Sequence, residues 1–117
     1  MNKVLMEGKV FGQPLFRMEP GEIPHLIFRV CVRHRTRAGE IRSECYRVSA
    51  WHNAALWARE RLFRGQRVCV TGYLAQRAVL RGGETLREVE IAAETLYLPR
   101  EEGRRFPEGG AIAGGRR

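Results

Sequence analysis

Six arginines fall between residues 29 and 47: Arg29, Arg33, Arg35, Arg37, Arg42 and Arg47, answered there only by Glu40 and Glu44. A guanidinium presents a planar fork of donors that matches phosphate oxygens, and a weakly hydrated face that stacks on rings. Aromatic side chains stand among these cations. Tyr46 and Trp51 flank Arg47, and Tyr73 precedes Arg77 by four residues. Cations interleaved with aromatics are what sequence-tolerant capture of a single-stranded polyanion requires, because phosphates release counterions to the cations and every base has a face to stack. The plain alternative is an ordinary solvated charged face.

Other chemistry is poorly provided for. All 13 acidic residues are Glu, and no Asp occurs. The chain contains no G-x-S-x-G elbow, no phosphate-binding Walker loop and no H-E-x-x-H pair. His25, His34 and His52 are not spaced with Cys or Glu as metal ligands, and they read as structural or solvated, with His34 adding a donor to the basic stretch. The three cysteines, Cys31, Cys45 and Cys69, have neither zinc-knuckle nor redox spacing and are expected as reduced, small apolar residues. The expectation is a non-enzymatic protein with no metal and no cofactor.

The chain has 117 residues and a net charge of +8, carried by 19 Arg and only 2 Lys. The preference for Arg over Lys could be a habit of genome composition, but that does not account for the net charge. One domain is the natural size. No apolar run approaches the roughly 20 residues of a membrane span, and no charged-then-apolar leader opens the chain. A cytoplasmic, nucleoid-associated protein is expected, without membrane contact.

The elements that must position these residues are mostly strands. Val4 to Phe16 reads as a long first strand, bent or bulged at Gly8 and Gly12. After the Pro20-Gly21 turn, His25 to Arg35 alternates Leu26, Phe28, Val30 and Val32 with Arg29, Cys31 and Arg33. A loop at residues 36–40 leads to a third strand over Ser43 to Trp51, with Tyr46, Val48 and Ala50 facing away from Cys45, Arg47, Ser49 and Trp51. The period then becomes helical from His52 to Arg64, with Gly65 as the stop. Arg67 to Leu80 and Thr85 to Leu98 are strands joined at Gly82-Gly83. From Arg100 the composition turns to glycine and charge, which predicts a domain over 1–100 and a flexible Gly/Arg-rich tail over 101–117. Five strands with one short helix between the third and fourth predict an all-β five-stranded OB-fold Greek-key barrel, with another small barrel or a β-sandwich as the competitor.

Several blocks of this body carry a resemblance. Asn2-Lys3-Val4 with Gly8, Pro14 and Arg17, then Arg47-Val48-Ser49-Ala50-Trp51 continuing to Ala55, then Arg64-Gly65-Gln66-Arg67-Val68-Cys69-Val70-Thr71-Gly72, resemble in order the bacterial single-stranded DNA-binding protein family. The resemblance spans roughly residues 1–99. It implies an OB-fold that forms a homo-oligomer, a tetramer or dimer, and wraps single-stranded DNA in replication, repair and recombination. It places the family's contacts on Lys3, Arg47, Trp51 and Arg77. This chain departs from the pattern at Thr36, Cys45 and Val79, where the family usually has aromatic platforms, and Tyr46 is a partial substitute. It also ends in Gly114-Gly115-Arg116-Arg117 where the family has an acidic tip. A body without that tip, together with Gly21-Glu22-Ile23-Pro24-His25 and Phe28, is similar to the primosomal protein B branch, which bridges a restart helicase and DNA. An OB-fold adaptor between proteins and an RNA-binding OB protein remain as further alternatives. The candidate contacts are Lys3, Arg33, Arg35, Arg37, Arg42, Tyr46, Arg47, Trp51, Tyr73 and Arg77. The candidate partners are single-stranded DNA, copies of the same chain, and replication or restart proteins.

Overall fold

A computed structural model describes residues 1–99 and 105–106. The elements run β1 (Val4–Glu19), β2 (Ile23–Arg35), β3 (Ile41–Trp51), α1 (His52–Arg59), β4 (Arg67–Arg81), β5 (Glu84–Tyr97) and β6 (Arg105–Phe106). Neighbouring strands follow the order β3-β2-β1-β4-β5-β6, and β3 also pairs with β5. That last pairing is parallel, through Val48↔Ile91 and Ser49↔Ala92, and it closes five strands into the Greek-key OB barrel that the sequence predicts. Closure removes most of the open edges that a sheet of long strands would otherwise present.

Period-2 patterning explains the strands. Along β2 and β3 the buried Leu26, Phe28, Val30, Val48 and Ala50 point inward and meet Val68, Val70, Ile91 and Leu96. Each of the Val, Leu, Ile and Phe side chains contributes on the order of 1.5–3 kcal/mol by leaving water. β1 is long enough to serve two partners because it bends. It pairs with β4 from Val4 to Lys9 and with β2 from Lys9 onward, and its register with β2 shifts between Phe11 and Leu15. Gly12 lies in that shift with φ of 76°, a conformation that a side chain would resist.

The helix is shorter than its sequence period suggests. α1 stops at Arg59, and residues 60–66 fold back onto β1 through Gly65 N–H donating to the Val10 carbonyl and Val10 N–H donating to the Gln66 carbonyl. Docking of that return segment, with Leu62 buried in the core, outweighs the helical propensity of its residues. α1 itself buries Ala54, Ala55 and Ala58, whose small side chains let it lie close against the barrel. The expected tail falls mainly outside the described residues; within it, β6 pairs antiparallel with β5 through Leu96↔Phe106 and Tyr97↔Arg105.

Two strands meet tightly at Gly72. The β4–β5 register shifts between Thr71 and Gly72, and a Cβ on Gly72 would run into the Ala92 carbonyl oxygen. Gly72→Ala is expected to cost about 1–3 kcal/mol, as overpacking does. Urea unfolding should show this as a lower midpoint with an unchanged slope.

Candidate nucleic-acid interface

Partners across a strand pair share a face, so register lays out the surface. On the outer side of β2 and β3 the rows are His25↔Trp51, Ile27↔Ser49, Arg29↔Arg47, Cys31↔Cys45, Arg33↔Ser43 and Arg35↔Ile41. The barrel seam extends the Ser49 row, because Ser49 lies beside Ala92 and Ala92 beside Tyr73. Tyr73 therefore sits two strand spacings, roughly 10 Å, from Ser49. Lys3 follows the same logic. Val4 pairs with Gly72, and the Asn2 side chain bonds both the N–H and the carbonyl of Leu74, so the register continued by one residue sets Lys3 beside Tyr73. Lys3, Arg33, Arg35, Arg47, Trp51, Tyr73 and Arg77 thus share one face, with Arg29 among them.

The other candidates separate from this set. Tyr46 pairs with the core residue Val30, so it leaves β3 on the side opposite Trp51, and its hydroxyl donates to Glu44 at 3.0 Å. That carboxylate raises the Tyr46 phenol above its ordinary pKa. Arg42 shares this side and lies 3.7 Å from Glu40. Arg37 is exposed in the loop between β2 and β3. Thr36 closes that loop, its hydroxyl accepting from Glu40 N–H, and Arg35 braces it by donating to the Gly39 carbonyl.

Charge on the shared face is less open than the arginine count suggests. Arg47 Nε lies 2.8 Å from Glu90 Oε1, and Ser49 Oγ donates to the same oxygen at 3.1 Å. Arg77 approaches Glu90 at 3.7 Å and Glu88 at 3.3 Å, and Arg81 binds Glu88 at 2.6 Å. Arg77 is not freely solvated: its Nε is buried and lacks a hydrogen bond. Arg29 and Arg33, both exposed, have no carboxylate partner among the described residues. An open groove of about 300 Å³ runs between the β2–β3 and β4–β5 arms, walled by Arg29, Arg47, Arg77 and Arg81 with Glu88, Glu90 and Tyr46.

Trp51 is neither core nor fully exposed. It ends β3, is 39% exposed, and stacks on His25 with ring centroids 3.6 Å apart and planes 6° from parallel. His25 is only 4% exposed. Its Nδ1 lies 2.7 Å from Glu19 and its Nε2 lies 3.0 Å from Ser49 Oγ. Hydrogen bonds from His25 and Arg17 hold the Glu19 carboxyl below its ordinary pKa. Sequence reading misses this hydrogen-bonded chain, which runs from the exposed Arg17 through the buried His25 and Ser49 to Glu90, because Ser49 and Glu90 meet only through the nonlocal β3–β5 pairing. The one signal available was Trp51 and His25 in register. The cysteine expectation also needs correction: Cys31 and Cys45 form a disulfide, since the β2–β3 register sets them directly opposite, and only Cys69 keeps its thiol.

A closed five-stranded barrel with cations and aromatics on the outer face of β2, β3 and the seam defines an oligonucleotide/oligosaccharide-type fold. The model of the single-strand binding protein family matches residues 1–99, and the chain belongs to that family. Among solved structures it is similar to a Plasmodium falciparum SSB complex with ssDNA, at 22% identity and a TM-score of 0.71, covering 80% of this chain and 86% of that one. No curated protein matches the chain.

Proposed function

We propose that this chain binds single-stranded DNA without catalysis and largely without regard to sequence, and that it serves replication, repair and recombination as a homo-oligomer in the cytoplasm. The observation that carries the reading is one outer face of a single-strand binding family barrel on which Arg29 and Arg33, without carboxylate partners among the described residues, share a surface with the half-exposed Trp51. A phosphate backbone lying along the β2–β3 rows meets the cations, while bases turned toward Trp51 and Tyr73 stack. The chemistry selects for unpaired bases, because a duplex hides its ring faces.

Competition tests this directly. Labelled oligo-dT bound to the protein should be displaced by oligo-dC of equal length at a similar concentration, and by a hairpin duplex only at concentrations at least about tenfold higher. Equal competition by the duplex would reduce the face to a nonspecific cationic patch.

A further inference from the structure

We infer that His25, a residue that DNA itself does not touch, is the positioning residue for the Trp51 platform. The inference rests on the single-stranded DNA reading and names the device that makes one of its contacts work. An indole at the end of a strand, beside the turn into α1, would ordinarily sample several rotamers. Here its inner face is covered by the parallel imidazole of His25, at 3.6 Å between centroids. The imidazole is itself immobile, because it is buried and held on both sides. Nδ1 lies 2.7 Å from the Glu19 carboxylate. Nε2 is fixed by Ser49 Oγ at 3.0 Å.

Two consequences follow from this arrangement. With one face occupied by His25, Trp51 offers a single open face, so it receives one base and is not sandwiched between two. Ser49 also shares the Glu90 carboxylate with Arg47, which joins the stacking platform to a guanidinium on the same face through one hydrogen-bonded path. The platform and that arginine therefore hold a set spacing before DNA arrives, and preorganisation of that kind lowers the ordering cost of binding.

A double-mutant cycle on the full chain isolates the effect. His25→Ala in the native background should weaken oligo-dT binding by roughly threefold to tenfold, the size of one aromatic pairing contact. In a Trp51→Ala background the same change should cost less than twofold. Equal losses in both backgrounds would overturn the assignment and leave His25 as packing alone. Should His25→Ala fail to fold, the native chain answers the question by NMR. On titration with oligo-dT, the His25 ring resonances should move along the same saturation curve as the Trp51 indole N–H. His25 signals that stay still while the Trp51 signal saturates would overturn the proposal and spare the binding reading. A native chain that binds no oligo-dT would remove both.

Discussion

Trp51→Ala should weaken oligo-dT binding about 10- to 100-fold, while leaving the barrel folded. Base stacking on an aromatic side chain is typically worth about 1–3 kcal/mol, and this face has few other platforms. Tyr46 leaves on the opposite side of β3, Cys45 is tied to Cys31, and Tyr73 stands on a neighbouring part of the face. Trp51→Phe should recover much of the loss, since a smaller ring still stacks on both His25 and a base. Tryptophan fluorescence separates the two indoles: native protein should quench on adding oligo-dT, and Trp51→Phe should quench much less. The remaining reporter, Trp57, packs against the core with the Arg61 guanidinium 4.8 Å from its ring centroid. A full quench in Trp51→Phe would move the stacking site elsewhere.

The second large effect separates arginines that are available from arginines that are already engaged. Each phosphate neutralised on a single strand contributes roughly 0.7 to the log–log salt slope. Replacing Arg29 and Arg33 together by Ala should flatten that slope by about 1.4 and weaken low-salt binding at least tenfold, with little change in melting temperature. Replacing Arg47 behaves differently. Its side chain is 20% exposed and its partner Glu90 only 11%, so the change strands a nearly buried carboxylate with Ser49 and Arg77. Removing one member of such a pair is costly, so Arg47→Ala should lower the melting temperature more than the Arg29/Arg33 pair does. Identical thermal behaviour of the two variants would mean that the Arg47–Glu90 contact adds nothing to the fold.

Much of this surface was legible in the chain itself. Alternation in β2 and β3 separates Arg29, Arg33 and Arg47 from Tyr46, and the helix between the third and fourth strands marks the barrel. Local patterns stop there. Glu90 reaches Arg47 only because β3 and β5 close the barrel across 43 residues of sequence, and no periodicity in either strand announces that contact. His25 looks like an unremarkable histidine until the register sets it under Trp51. The helix ends before its helical period does for a related reason, since residues 60–64 are good helix formers that tertiary docking against β1 pulls into a turn. The opposed cysteines were legible in principle, because a hairpin register counted from the loop pairs residue 31 with residue 45.

The most direct test of the whole account is fluorescence anisotropy of labelled oligo-dT with the full chain, titrated at a series of salt concentrations from about 50 to 300 mM. Log affinity should fall linearly with log salt at a slope of about −1.4 or steeper, the value for two phosphates neutralised by Arg29 and Arg33, and binding should persist at moderate salt through stacking on Trp51. Affinity that stays flat across that range, or an absence of binding even at the lowest salt, would contradict the assignment of this face to single-stranded DNA.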